Sequence, residues 1–139
     1  MSDLTIHIPE DDPTTLPLAE SVRCGFPSPA EDFSDMRLNI TQEIVKNPAA
    51  TFYARVSGSS MIDDGIGDGD ILVIDKSVEP YDGCTAVCFL DGEFTLKHLQ
   101  VHKDHIMLVP ANKQFSPIKV TPENDFIIWG VVRYVIHKL

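Results

Sequence analysis

The chain lacks several things that would define its class. No apolar run in its 139 residues approaches the ~18 needed to cross a bilayer as a helix. The opening residues, MSDLTIHIPEDD, have neither the basic start nor the apolar centre of a secretory signal, so the expected location is the cytoplasm. Cysteine is scarce: three residues cannot all pair within one chain, which argues against a disulfide framework and for a reducing compartment. Basic residues are few, 11 against 21 acids, for a net charge of −10. A nucleic-acid binder needs Lys and Arg to displace counterions, so direct nucleic-acid binding is not expected. Strands alternating with helices are also missing, which excludes a doubly wound nucleotide-binding sheet. What remains is a chain that is 43% hydrophobic and long enough for one compact domain with its own core.

The charge is concentrated at one end. Residues 1–35 hold eight acids and a single base, Arg23, a net of −7; the other 104 residues sum to −3. Five of the ten prolines fall within the first 29 residues. Each removes a backbone donor and disfavours helix. Residues 1–40 therefore read as an acidic, extended, mobile arm, and residues 41–139 as the folded body. Acidic termini are often plain solvated tails. Against that, Leu16, Leu18, Val22 and Phe26 give this one apolar residues with which to dock.

The body is predicted to be mainly β, a compact barrel or sandwich preceded by a short helix. Residues 41–46, TQEIVK, suit a short helix stopped by Asn47-Pro48. Strand-like runs follow at 50–57, 70–75, 84–90, 93–101, 105–110 and 126–136. Asp64-Gly65, Gly67-Asp68-Gly69, Asp82-Gly83 and Asp91-Gly92 punctuate them. Asp91-Gly92 between two such runs is a strong hairpin signal.

One lysine breaks the pattern. In run 93–101, Phe94, Leu96, His98 and Gln100 share one face, while Thr95, Lys97, Leu99 and Val101 share the other. Neither face is uniformly polar, so both are expected to be covered. Lys97 then has two readings. Its stem packs while the amine reaches water, or the amine is desolvated, loses its proton more easily and becomes a general base. A base needs a nucleophile. The segment Ser57-Gly58-Ser59-Ser60-Met61 follows a strand and precedes a turn-rich loop, where a serine beside glycine can be held rigidly with backbone N–H groups nearby. Ser-Lys pairing is a known variant of the serine-nucleophile arrangement. Taken alone, Ser-Gly-Ser-Ser is mostly a loop motif.

The block SGSSMIDDGIGDGDILVID, with Lys97 in DGEFTLKHL 37 residues after Ser60, resembles the LexA-type self-cleaving peptidases. The upstream segment CGFPSPAED, residues 24–32, is similar to the UmuD branch of that family. The resemblance runs from about Leu16 to the end. It implies a LexA-like peptidase domain in which Ser60 is the nucleophile and Lys97 the general base. It also makes Cys24-Gly25 the bond that the protein cuts in itself. Main-chain amides of Ser59 and Ser60 would form the oxyanion hole. No cofactor and no metal are implied. The implied setting is the bacterial SOS response: a RecA filament on single-stranded DNA stimulates cleavage. The shortened product then serves as a homodimer beside a UmuC-type translesion polymerase, with the replicative sliding clamp a further candidate partner. Two other readings are a polymerase-binding subunit with an idle dyad and a LexA- or phage-repressor-like regulator. The second is disfavoured because ~40 poorly helical residues do not make a helix-turn-helix module. The sequence departs from the UmuD pattern at Ser59, where Asp is common, at Cys84 and Cys88, and over the first 15 residues.

The implied chemistry is coherent. Gly25 leaves room for close approach to the bond. An extended segment can add to a sheet edge, and tethering gives it a high effective concentration. The 16 residues from Gly25 to Thr41 span roughly 50 Å when extended, so cutting within a subunit and across a dimer are both open. Removing residues 1–24 changes the net charge from −10 to −6.

Other groupings are less persuasive. Cys84 and Cys88 with His98, His102 and His105 have the residue types of a zinc site. On strands, however, four steps separate side chains by roughly 13 Å. The two cysteines read better as small residues on a buried face. Asp63, Asp64, Asp68 and Asp70 lack the closing Glu of a calcium loop. Trp129 is expected in the core or at a dimer contact.

Overall fold

The computed structural model describes residues 4–9, 12–19 and 33–139 of the chain. In chain order its elements are β1 (Leu4–His7), β2 (Leu16–Ala19), β3 (Phe33–Leu38), α1 (Ile40–Ile44), β4 (Thr51–Val56), β5 (Ile71–Asp75), β6 (Thr85–Leu90), β7 (Glu93–Val101), β8 (Ile106–Val109), β9 (Ile118–Val120) and β10 (Phe126–Ile136). Single 3-10 turns occur at Pro48–Ala50 and Ile62–Asp64. Contacts group residues 1–9 with 47–139 as one unit and residues 10–46 as a second.

The first unit is a single antiparallel sheet of eight strands in the order β1-β4-β5-β10-β6-β7-β8-β9. The mainly-β expectation is met, and all six expected runs form strands. β6 and β7 are joined at Asp91-Gly92, both with positive φ (49° and 91°), as a two-residue hairpin turn of the twist-matched kind requires. β1, β2, β3 and β9 were not foreseen. β9 is three residues long, and β1 and β9 form the edges of the sheet, where the burial that writes a strand pattern is weakest.

Each face of the sheet carries a core. Val87 of β6 and Leu96 of β7 pack with Ala54, Met61, Leu72 and Ile74. The alternate residues Ala86 and Cys88, with Leu99 of β7, pack with Cys84, Leu108 and Val131. Burying an aliphatic side chain of this size contributes roughly 1.5–3 kcal/mol, so β6 and β7, covered on both sides, are firmly held. β10 is paired to β5 on one side and β6 on the other, with a register shift on each side. Trp129 sits in the shift opposite β6, its ring 5.0 Å from Phe52 and 5.8 Å from Phe94. Gly130 follows because a Cβ there would stand 2.5 Å from Ile74 Cγ2.

In the second unit β2 pairs with β3, and Arg37 donates to Thr15 Oγ1 and to the Thr15 carbonyl. The helix expected over 41–46 forms at Ile40–Ile44, capped by the Asn39 side chain accepting from Gln42 N at 3.0 Å. Among the described residues no helix is long and apolar enough to cross a membrane.

Candidate active site

Ser60 stands in the loop between β4 and β5, and the sequence closes that loop tightly. At its base Val56 N donates to Asp70 O and Gly69 N to Val56 O, both at 2.8 Å. Gly58 takes the left-handed conformation (φ 98°), and its N–H donates to Asp68 Oδ1 at 3.0 Å. Met61 is buried in the first core cluster and anchors the loop from within. Asn112, just after β8, donates its side-chain amide to the Ser59 carbonyl at 2.7 Å. Asp63 N donates to Ala111 O at 2.7 Å. Ser60 is therefore fixed on both sides and only 2% exposed.

Lys97 lies in the middle of β7, opposite Ala86, and is 6% exposed. Of the two readings the sequence left open, the structure selects the desolvated amine. Its Nζ is 3.2 Å from Ser60 Oγ, 3.0 Å from Thr95 Oγ1 and 3.0 Å from the Leu96 carbonyl. Among the described residues no carboxylate pairs with it. Burial therefore pulls its pKa below the ordinary lysine value. Nearby Cys88 would oppose this as a thiolate, but burial pushes that thiol up to about 12, so it is neutral near pH 7.

The three neighbours of Nζ have unequal chemistry. The Leu96 carbonyl only accepts, and Thr95 Oγ1 is a second acceptor. A neutral amine that donates its two hydrogens to these oxygens has its lone pair left for the Ser60 hydroxyl. An ammonium uses all three as acceptors. The same geometry thus serves the amine before and after it takes a proton. Beside the pair opens a cleft of about 360 Å³, lined by Ser60, Thr95 and Lys97, by Asp91, Glu93 and Ser116, and by the apolar side chains of Leu90, Phe115 and Ile118.

Of the residues singled out from sequence, Ser60 and Lys97 come together, with Ser59 exposed beside them. Cys24 and Gly25 lie outside the described residues. Thr95, the Leu96 carbonyl, Asp68 and Asn112 were not foreseen as parts of the site. Thr95 was legible in principle, two residues from Lys97 on the same strand face. Asn112 is 53 residues from the serine it braces, and no local pattern marks such a contact. Among the described residues no group of three His, Cys, Asp or Glu is placed to hold a metal ion. Asp64, Asp68 and Asp70 are instead occupied by His98, Gly58 N, Gly67 N and His137.

Residues 17–133 match the family described as Peptidase S24-like. Protein MucA of Salmonella typhimurium is 40% identical over 116 residues, 83% of this chain and 79% of its own length. Protein SamA of Salmonella typhimurium strain LT2 is 40% identical over 138 residues, 97% of this chain and 96% of its own. The LexA repressor of Xylella fastidiosa is 33% identical over 131 residues, 94% of this chain and 62% of its own. The chain belongs to the Peptidase S24-like family. Within it, this is a protein of the UmuD type, in the wider LexA/UmuD group.

Proposed function

We propose that this chain is a self-cleaving serine peptidase of the bacterial DNA-damage (SOS) response. Its shortened form is an accessory subunit of an error-prone translesion polymerase. The observation that carries the reading is the 3.2 Å approach of Lys97 Nζ to Ser60 Oγ in a buried setting, with no carboxylate paired to the amine among the described residues. Lys97, as the neutral amine, takes the hydroxyl proton while Ser60 Oγ bonds to the Cys24 carbonyl carbon. Backbone N–H groups of Ser59 and Ser60 stabilise the oxyanion. The proton passes from Lys97 to the Gly25 nitrogen as the Cys24–Gly25 bond breaks. Water, deprotonated by Lys97 in turn, releases the acyl group from Ser60.

The cytoplasmic setting, the homodimer, stimulation by a RecA filament on single-stranded DNA, and service to a UmuC-type polymerase with the sliding clamp nearby complete the proposal. They are supported by kinship with UmuD-type relatives. The test is incubation of the purified chain at alkaline pH, and at neutral pH with RecA filaments, followed by denaturing mass measurement. Loss of residues 1–24 is expected. Ser60→Ala yields no product, and Lys97→Ala slows cleavage by about 10²- to 10⁴-fold, the usual contribution of a positioned base. A chain that stays whole under both conditions would leave a non-catalytic polymerase subunit as the better reading.

A further inference from the structure

The dyad is assembled from two separate pieces of chain, the loop that carries Ser60 and the strand that carries Lys97. Its chemistry depends on their separation. A second polar contact joins the same two pieces. Asp64 lies four residues after Ser60, His98 is the neighbour of Lys97, and Asp64 Oδ2 is bonded to His98 Nε2. The other ring nitrogen, Nδ1, is 3.1 Å from Oγ1 of Thr85, the residue paired with His98 across β6 and β7. When the Thr85 hydroxyl donates to Nδ1, the proton of the neutral ring is left on Nε2, facing the Asp64 carboxylate. The ring is thereby fixed from both ends, on two strands that contribute to both core clusters.

The Asp64 end is equally stiff. Ile62 N donates to Ser59 O at 3.2 Å, Asp64 N to Met61 O at 3.1 Å and Gly65 N to Ile62 O at 3.0 Å, so Ser59 to Gly65 is one continuous tight turn. A shift at Asp64 is passed directly to Ser60. Ala111 and Asn112 also brace this turn, from the segment after β8.

We propose that Asp64, His98 and Thr85 form a strut that sets the Ser60–Lys97 distance, with all three acting as positioning residues for self-cleavage. This rests on the self-cleavage reading. None of the three touches the reacting atoms. Asp64 and His98 are each about a third exposed (36% and 30% for the side chains), so the pair orients the loop without being needed to fill the core. A misplacement of ~1 Å between reacting groups costs up to about 10²-fold in rate, which is the scale available to the strut.

The test compares first-order self-cleavage of the full chain with that of Asp64→Asn, His98→Ala, His98→Lys and Ser60→Ala, recording thermal midpoints and pH–rate profiles. Asp64→Asn and His98→Ala are expected to cleave about 10- to 100-fold more slowly, with thermal midpoints close to that of the parent. His98→Lys, which again offers Asp64 a hydrogen-bond donor, is expected to recover most of the rate. The alkaline midpoint of the pH–rate profile should move up in the slow variants, as a looser loop lets water reach the amine. Unchanged rates and midpoints, with Ser60→Ala still inactive, would overturn the strut and leave the dyad standing. If the parent chain itself does not cleave, the self-cleavage reading falls. The strut is then decided by NMR titration of the Lys97 side chain, where an unaltered midpoint in His98→Ala would overturn it.

Discussion

The amine of Lys97 and the hydroxyl of Ser60 meet at 3.2 Å inside the protein, and the two other oxygens that the amine reaches, on Thr95 and Leu96, belong to its own strand. β7 therefore aims the lone pair by itself, and the loop has only to deliver the serine. This division makes the pair's behaviour with pH and mutation predictable.

Because burial lowers the pKa of Lys97, the neutral base is populated at lower pH than for a free lysine, near 10.4. The rate of self-cleavage should rise with pH and level off below that value. The folded chain holds this proton less tightly than the unfolded one. The cost of burying the charge is thus fully present below the folded pKa and fades as pH rises from there toward the unfolded value. Denaturant midpoints of the parent and Lys97→Met, with Ser60→Ala in both to prevent cleavage, should show the parent gaining on the variant across that window. A constant difference would contradict a desolvated amine.

Thr95→Val removes one acceptor from Nζ and keeps the shape of the side chain. The charged amine loses a hydrogen bond, so the pH–rate midpoint should fall further. The plateau rate should drop about fivefold as the lone pair loses its aim, equivalent to about 1 kcal/mol. A pH–rate series on this one variant checks both. A midpoint that moved upward would mean that water had replaced the hydroxyl.

Gly130→Ala should destabilise the fold by about 1–3 kcal/mol, because the added methyl meets Ile74 Cγ2 at 2.5 Å with the bulged strand already committed. Equilibrium unfolding in urea measures it, and the slope of the transition should be unchanged.

Cys84 and Cys88 should resist iodoacetamide in the native protein at pH 8 and react once it is unfolded. Both are buried, at 2% and 0% exposure, and the Cys88 thiol is pushed up to about 12. Residue-resolved mass mapping separates them from Cys24. Rapid native labelling at Cys88 would show that the packing between β6 and β7 opens readily.

The sequence carried the central strands because their periodicity reports burial, and it carried the β6–β7 hairpin because Asp91-Gly92 admits few other geometries. The candidate dyad was legible as two residues, and the resemblance supplied their pairing. Whether Lys97 was dry was not legible: a lysine flanked by Thr95, Leu99 and Val101 packs its stem equally well with its amine in water. The braces were hidden for a different reason. Asn112 and His98 reach their partners only after the sheet has formed, and nothing in their own neighbourhoods announces a long-range bond. β1 looked like part of a tail because strand at an edge needs little apolar patterning, and Trp129 gave no sign that it occupies a bulge.

The pairing of β1 with β4 sets His7 opposite Tyr53, so the polypeptide leaves the large sheet after residue 9 and rejoins it near residue 47 at neighbouring strand ends. Residues 4–7 are thus a paired edge strand of the large sheet. A single cut between β1 and β4 would yield a nicked molecule whose amino-terminal piece is still clasped by four rungs of backbone pairing. Departure of that piece is then a separate, slower event. Native and denaturing separations run side by side would see the two events at different times.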